Sequence, residues 1–353
     1  MEAISSLSLP LPIFPGLTYL DLSGCGLDAK SCTTLLSAMD TTVADLDGDK
    51  KEKDATIKGV RNLVLKLNSN NLSDRSSGTE MMNLLARGHL VTELYVSKCQ
   101  IGDEGMKQIV DECCCSSKLK SSNSETNDSS SLFLRRLDLS YNNLTSISCL
   151  ANQLHLHSDG ISLNDCHYFS NIRTLDLSGN PLGQSILDAF DSNPAWIMSL
   201  EELDLSHTSC KSSGAVELIR RSNSRKSSLK KLNLFGNGLA SDGFLELSKV
   251  LHGGHMSLNY LDLGGNGAIE SAVVTLVEVL KNKMENDDGT GSQNTLRVLV
   301  VGGNKGGAAL EKAVKEVQKV HPELDIARDK TKKNSGMPGG NMINNTPGTS
   351  WMS

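Results

Sequence analysis

The chain has 353 residues, a formal net charge of −6, 38% hydrophobic residues and 22% charged residues. This composition suits a folded, soluble protein, and the charge lacks the strongly basic balance typical of nucleic-acid-binding domains. The chain contains no run of about 18 apolar residues that could span a bilayer. From the charge and from this absence, neither a nucleic acid nor a membrane is expected as a partner. The length exceeds that of a usual single core, which predicts several domains or a repeat array that grows along one axis.

The amino-terminal segment MEAISSLSLPLPIF lacks the positive charge of a secretory signal, and Pro10, Pro12 and Pro15 interrupt its apolar stretch. The nine cysteines are an odd number and follow no paired spacing. We therefore expect reduced thiols in a reducing compartment. Both observations predict a cytoplasmic or nuclear protein.

One eleven-residue pattern, LxxLxLxxNxL, recurs nine times and organises the rest of the chain. The shortest distances between successive copies are 28 and 29 residues, and longer distances are that unit plus an inserted segment. Each copy opens with the alternation of a half-buried strand, and apolar residues three and four apart then predict a helix. The copies start at Leu17, Asn62, Val91, Leu134, Ile172, Leu200, Leu229, Leu258 and Leu296.

A strand, a turn and a helix in every unit predict a stacked α/β solenoid. A single unit cannot cover its own hydrophobic face, so neighbouring units stack and their strands form a parallel sheet. Helices are wider than the strand spacing, so the stack bends into a horseshoe with strands on the concave face and helices on the convex face. The ninth residue of the unit, mostly Asn, is expected to satisfy backbone groups where the chain leaves each strand.

The period, the Asn or Cys at the ninth position and a full helix per unit resemble the ribonuclease-inhibitor type of leucine-rich repeat, over about residues 17–328. The resemblance implies an intracellular horseshoe of about nine repeats whose concave face or rims grip other proteins. A helical pattern from Ala308 and the alternation of Leu324 and Ile326 predict a partial tenth unit that caps the stack. Residues 1–16 are expected to form a thin N-terminal cap, and residues 329–353 a disordered tail.

Four insertions fall near residues 43–58, 116–130, 152–166 and 284–294, each between a predicted helix and the next strand. Because they share one junction, they are expected to emerge on one rim of the horseshoe, where insertions into repeats often carry binding. The alternative is that they are tolerated surface loops, which cost the fold little.

Positions three, five and seven of each repeat are predicted to face the concave side, because positions four and six point into the core. Aspartate recurs at position five and glutamate at position three, so this face is expected to be acidic and to attract a basic protein. The alternative is that these carboxylates are merely solvated. Aromatic residues in the same rows are candidate anchors. The candidate protein-binding residues are Glu93, Tyr95, Asp138, Asp176, Glu202, Asp204, Asn233, Phe235, Tyr260 and Asp262.

No motif predicts catalysis, a metal or a cofactor. Asp176 and Asp204 would lie one strand apart like the paired carboxylates of glycosidases, but an open sheet is expected to offer no apolar shell that raises a carboxyl pKa. Asp45 begins a spacing like that of a calcium loop, yet Lys50 and Thr56 stand where glycine and glutamate are needed. The sequence therefore predicts a non-enzymatic binding or scaffold protein that is monomeric by itself.

Two further hypotheses stay open. The basic segment RRSNSRKSSLKK makes Ser224 and Ser228 candidate phosphorylation sites, because a phosphate would invert the local charge. The repeat type is also similar to that of the Ran GTPase-activating proteins, which implies stimulation of GTP hydrolysis by a Ran-type small GTPase. Those proteins carry an acidic segment after their repeats, whereas residues 331–353 contain no acidic residue.

Overall fold

One parallel sheet runs through the computed structural model, which describes residues 17–40, 62–73, 91–118, 134–154, 169, 171–224, 226–253, 257–285 and 295–328. Its ten strands follow one another in chain order, so every repeat contributes one strand beside that of the preceding repeat. The predicted α/β solenoid is therefore confirmed. The strands are β1 Tyr19–Asp21, β2 Leu63–Lys66, β3 Val91–Tyr95, β4 Arg136–Asp138, β5 Thr174–Asp176, β6 Glu202–Asp204, β7 Lys231–Asn233, β8 Tyr260–Asp262, β9 Val298–Val300 and β10 Asp325–Ala327.

Helices on the convex side connect the strands. None of the helices in the described ranges combines the length and the apolar character that crossing a bilayer requires. In those ranges the helices are α1 Ala29–Asp40, α2 Gly102–Lys118, α3 Ser148–Ala151, α4 Ser185–Ser192, α5 Lys211–Ser222, α6 Ala240–Gly253, α7 Glu270–Glu285 and α8 Ala308–Val320.

Helix length varies between repeats. The expectation of a full helix in each repeat is wrong for the fourth, because α3 is a single turn that ends where the third predicted insertion begins. Two insertion boundaries also need correction, since α2 runs to Lys118 and α7 to Glu285. Both helices thus extend into segments that the sequence assigns to the second and fourth insertions.

The repeated apolar positions form one continuous core. Positions four and six of each repeat point inward, as Leu175 and Leu177 show with exposed fractions of 1% and 0%. Larger side chains, among them Trp196 and Phe244, fill the space between sheet and helices and are fully buried. The first repeat is the exception, because Leu20 and Leu22 are only partly buried. The core that positions the sheet therefore lies between the strands and the helices along its whole length.

Asparagine at position nine satisfies backbone groups where the chain leaves the strand, as the sequence predicts, and in the six repeats that carry it the side chain also links to the preceding repeat. The Asn180 side chain is fully buried, and its Oδ1 accepts the backbone N–H groups of Asn142 at 2.8 Å and Leu144 at 3.0 Å. Its Nδ2 donates to the carbonyls of Leu139 at 3.0 Å and Leu177 at 2.8 Å. Asn70, Asn142, Asn237, Asn266 and Asn304 make corresponding bonds.

The four predicted insertions join a helix end to a strand start. The described flanks run from Asp40 to Leu63, from Lys118 to Arg136, from Ala151 to Thr174 and from Glu285 to Val298. All four therefore attach at the edge of the sheet where strands begin. Most of each insertion, together with residues 1–16 and 329–353, lies outside the described residues.

Candidate binding face

The position-five side chains form a row across the sheet, because the strand register is the same from repeat to repeat. Asp138 pairs with Asp176 and Asp176 with Asp204, so three carboxylates occupy consecutive strands. Neighbouring strands in a sheet lie about 4.8 Å apart. We call Asp138, Asp176 and Asp204 the acidic row. Tyr95 and Lys66 continue the same position on one side, and Asn233, Asp262 and Val300 on the other.

The carboxylates of the acidic row are partly or largely buried, and their role in binding stays a prediction. Asp138 has an exposed fraction of 7%, and Asp176 and Asp204 are partly buried. Each Oδ1 accepts the backbone N–H group of the serine two residues later, at 2.9 Å from Ser140 and 2.8 Å from Ser206. The sheet therefore holds all three side chains in one orientation.

Burial and mutual repulsion raise the pKa values of the carboxyl groups in this row. Burial raises the pKa of Asp138 and of Asp204 above the ordinary value. For Asp176, burial and then the charges of Asp204 and Asp138 raise the pKa to about 7. The expectation that an open sheet has no apolar shell to raise a carboxyl pKa is thus wrong, because burial within the sheet, and for Asp176 also the neighbouring carboxylates, raises it.

The position-three row is charge-balanced, which corrects the predicted contribution of Glu93 and Glu202. Arg136 lies between them, with its Nε 3.7 Å from Glu93 and its terminal Nη2 3.6 Å from Glu202. Lys231 forms a further ion pair with Glu202. These pairs leave little net charge in the row. The acidity of the face therefore resides in the position-five row.

The tyrosines predicted as anchors are engaged within the face. Tyr95 donates its hydroxyl to Glu93 at 2.8 Å, and Tyr260 donates to Asp262 at 3.3 Å. The Nζ of Lys66 lies 5.2 Å from the ring centroids of both Tyr19 and Tyr95. The face is therefore aromatic near β1 to β3, where Lys66 lies among Tyr19, Asp21 and Tyr95, and acidic from β4 to β6.

A second row of side chains, at position eight, follows the strands and was not among the predicted site residues. The backbone there is left-handed in every repeat, and five repeats carry glycine: Gly24, Gly179, Gly236, Gly265 and Gly303. The other four carry Ser69, Lys98, Tyr141 and His207, with φ between 56° and 59°. The recurring glycines mark position eight in the sequence. Tyr141 and His207, the aromatic residues at that position, are the signal from which this row could have been predicted.

These rings lie on the glycines of the next repeat. A Cβ on Gly179 would be 2.5 Å from the ring of Tyr141, and one on Gly236 would be 2.6 Å from the ring of His207. Phe235, a predicted anchor at position seven, covers Gly265 in the same way. The rings of His207 and Phe235 are 5.2 Å apart. We call Tyr141, His207 and Phe235 the ring ledge.

The candidate phosphorylation sites lie elsewhere, at the edge where β7 begins. Ser228 is exposed, and the Ser224 Oγ accepts the backbone N–H group of Lys226 at 3.3 Å. Arg220 and Arg221 form ion pairs with Glu217, which offsets part of the predicted basic charge. A phosphate at either serine stays a prediction.

Metal-binding side chains do not converge in the part of the chain that the structure describes, where no group of three His, Cys, Asp or Glu residues could hold an ion. The cysteines whose side chains are described are free: Cys25, Cys32, Cys99, Cys149 and Cys210. The aspartates of the calcium-like spacing lie outside the described residues.

Two family models, each described as a leucine-rich repeat, match the chain. One matches residues 89–110 and 225–248, and the other matches residues 133–154 and 171–193. These four segments contain β3, β4, β5 and β7 with their turns. No curated protein matches the sequence.

Several solved structures resemble this one at low identity. A chain of the TLR13–ssRNA13 complex is 16% identical with a TM-score of 0.42, covering 75% of this chain and 35% of that one. The present chain thus spans about a third of the TLR13 chain. An internalin, InlF of Listeria monocytogenes, is 18% identical with a TM-score of 0.32, covering 76% and 75%. A chain of the octameric complex of latrophilin 3, Unc5D and FLRT2 is 16% identical with a TM-score of 0.39, covering 91% and 86%.

The family matches fall on repeats that the structure stacks through one parallel sheet and one line of buried asparagines. Strand, turn and helix recur in each matched segment, in the order that the repeat requires. The chain therefore folds as an α/β leucine-rich-repeat solenoid.

Proposed function

We propose that this protein is a non-enzymatic scaffold that holds a basic protein partner against its concave face. The observation that carries the proposal is the acidic row, whose three carboxylates lie side by side although their proximity is unfavourable. Asn233 occupies the same position on the next strand, and its Oδ1 accepts the N–H group of Phe235 at 3.0 Å. A neutral amide can therefore supply the acceptor that the turn after β7 uses.

A fold that needs only an acceptor at this position gains nothing from three carboxyl groups on adjacent strands. Cationic side chains from a partner would relieve the repulsion within the row and satisfy its remaining oxygen lone pairs. The same charge would speed the encounter with a basic protein. A binding site commonly lowers the stability of the free protein, and the bound partner then stabilises it.

The finer assignments belong to the same proposal. The sequence supports the ribonuclease-inhibitor subtype, a cytoplasmic or nuclear location and a monomeric state without partner. The shared attachment of the four insertions to one edge supports a second contact along that rim. We propose that the insertions extend a surface whose centre is the acidic row.

Neutralising the acidic row tests the proposal. We expect the triple variant Asp138→Asn, Asp176→Asn, Asp204→Asn to lose the basic proteins that the immobilised wild-type chain captures from native extract. The same proteins should elute at about 0.5 M salt, where charges on a surface are screened within about 4 Å. Mass spectrometry identifies the captured set, and circular dichroism checks that the variant is folded.

The matched control is Asp21→Asn, which makes the same change at the same repeat position on β1. It should retain the captured set. If the triple variant captures the same proteins as the wild type, the acidic row is not where the partner binds, and the concave-face proposal is wrong.

Stimulation of a Ran-type GTPase stays an untested alternative that rests on the similarity of repeat type. Measuring GTP hydrolysis by such a GTPase with and without this chain decides it. An unchanged rate would end this alternative and leave the scaffold proposal intact.

A further inference from the structure

A row of cations lies along the edge of the sheet where the strands begin. It consists of the second residue of each repeat, one position before the charge-balanced row. Each member donates its backbone N–H group to the carbonyl of the member on the preceding repeat, at 2.8 Å from Arg173 to Arg135 and at 2.9 Å from Arg297 to Asn259. We call this set the edge row: Arg135, Arg173, Glu201, Lys230, Asn259 and Arg297.

This backbone ladder fixes the spacing of the edge row. Neighbouring strands lie about 4.8 Å apart, so the row spans about 24 Å from its first member to its last. Glu201 is the one carboxylate among four cations. Arg135, Lys230 and Arg297 are exposed, and the Arg173 side chain has an exposed fraction of 41%. The edge therefore presents positive charge to solvent, although the chain as a whole carries a net charge of −6.

The cations of the edge row keep most of their capacity to bind an anion. Arg135 and Arg297 form no ion pair with any residue that the structure describes. The Arg173 Nε is 4.0 Å from the Glu201 carboxylate. The Lys230 Nζ donates to a backbone carbonyl at 3.4 Å. Long contacts of this kind leave donors available to an incoming carboxylate.

Carboxylates at the next position do not neutralise the edge row. Glu93 and Glu202 pair with Arg136, and Glu202 pairs with Lys231 as well. This charge-balanced row lies between the edge row and the acidic row. The molecule therefore presents opposite charges on its concave face and on the edge where its strands begin.

Lys226 adds a further cation beside the edge row. Lys226 and Ser228 are exposed, whereas Ser227 and Leu229 are buried. This alternation places the Lys226 side chain on the same side of the segment as that of Lys230. The positive charge therefore continues outward from the centre of the row.

The composition of the edge row favours a protein partner over other polyanions. Its members are all polar or charged, so it offers no aromatic platform on which bases could stack and no apolar side chain that could insert into a membrane. Glu201 and Asn259 interrupt the cations, and the net negative charge of the chain repels a continuous phosphate backbone. Spaced carboxylates match such a row, and arginine binds each of them through two parallel hydrogen bonds.

We propose that the edge row binds an extended acidic segment of a second partner protein. An extended chain advances about 3.3–3.6 Å per residue, so seven or eight residues of such a segment cover the row. The inference goes beyond the scaffold function proposed above, because it adds a partner of opposite charge at a separate surface. A scaffold built in this way holds an acidic and a basic protein side by side.

Peptide binding to the full chain tests the inference. The probes are two tetramethylrhodamine-labelled peptides, Ser-Glu-Gly-Glu-Gly-Glu-Gly-Glu-Ser and the same sequence with glutamine for glutamate, measured by fluorescence anisotropy at about 50 mM salt. We expect the glutamate peptide to bind at least about tenfold more tightly than the glutamine peptide. This difference should disappear at about 0.5 M salt.

The double variant Arg135→Gln, Arg297→Gln should weaken binding of the glutamate peptide about threefold to tenfold. Both side chains are exposed, so the fold is expected to persist, and thermal melting verifies it. Should the double variant melt early, Lys230→Gln replaces it, with an expected loss of about twofold to threefold.

The matched control is Lys107→Gln, Lys312→Gln, which removes the same net charge from exposed positions in the first halves of α2 and α8. It should leave the affinity unchanged, because those helix ends lie away from the strand starts. The neutralised acidic row, Asp138→Asn, Asp176→Asn, Asp204→Asn, should not weaken the glutamate peptide either.

Equal affinity for the two peptides, or equal losses in the edge-row variant and in the lysine control, would overturn the inference. So would an edge row that binds a single-stranded oligonucleotide or anionic vesicles but not the glutamate peptide. None of these results touches the scaffold function, which the capture experiment with the neutralised acidic row decides separately.

Discussion

Replacing Asn180 with alanine is expected to lower the free energy of unfolding by about 3–5 kcal/mol. The side chain is fully buried and accepts the N–H groups of Asn142 and Leu144 while donating to two carbonyls. Alanine leaves both N–H groups and the Leu177 carbonyl without this partner in a site that water does not reach. Each buried polar group left unpaired costs about 1–3 kcal/mol.

Chemical denaturation followed by circular dichroism measures the loss. Asn152→Ala is the matched control, because Asn152 is an exposed asparagine in the preceding repeat, and a change within about 0.5 kcal/mol is expected there. A loss below about 1 kcal/mol for Asn180→Ala would mean that the line of asparagines does not hold the repeats together.

Asn180→Ala should also change which repeats unfold first. A solenoid is stabilised by interfaces between neighbouring repeats, and Asn180 links the fifth repeat to the fourth. Weakening that interface should divide unfolding into two steps. Hydrogen exchange should speed up at Asn142 and Leu144 before it does in β8 and β9.

The sequence predicts the strands and their order because a single pattern carries several constraints at once. Leu175 and Leu177 alternate into the core, and Asn180 closes the turn, so a shift of one residue would expose the leucines. Helix length carries no such constraint. The single turn of α3 ends where the chain departs into an insertion, and apolar spacing alone does not mark that point.

Only part of the candidate site can be predicted from the repeat pattern. Strand register places Asp138, Asp176 and Asp204 in one row, and the repeat pattern suffices to infer it. The pairing of Arg136 with Glu202 depends on a long side chain reaching across an intervening strand, which sequence spacing does not encode. The depth of burial that raises the Asp176 pKa likewise depends on the packing of neighbouring strands.

Two members of the ring ledge, Tyr141 and His207, fall outside the alternation rule that predicts Phe235. Position eight lies after the strand, where side chains no longer alternate between two faces. Its marker is the column of glycines with positive φ, and Tyr141 and His207 stand out only when the repeats are compared at that column. Backbone conformation rather than hydrophobic pattern is the constraint to examine there.

Asp176→Asn is expected to stabilise the protein, and to do so only above acidic pH. The folded-state pKa of Asp176 is about 7, against an ordinary value of 3.8. Between those values the folded state holds one proton more than the unfolded state, so wild-type stability falls as pH rises from about 4 to 7. The amide carries no such penalty, and its Nδ2 can donate to a neighbouring carboxylate as that of Asn233 does to Asp204 at 2.8 Å.

We expect the variant to match the wild type near pH 4 and to exceed its free energy of unfolding by about 2 kcal/mol at pH 8. Denaturant titrations across this range measure the difference, and carbon NMR of the carboxyl group measures the pKa directly. Asp138 and Asp204 remain in the variant, so its stability keeps a shallower slope.

Asp21→Asn separates this effect from a general benefit of removing charge. Asp21 holds the same repeat position on β1, but hydrogen bonds from Ser23 lower its pKa. Neutralising it should give no gain at high pH. Equal gains at Asp21 and Asp176 would show that net charge, rather than burial and repulsion within the row, governs stability. A gain confined to Asp176 would mean that the fold tolerates these carboxylates at a cost, which is the condition under which a cationic partner stabilises the protein most.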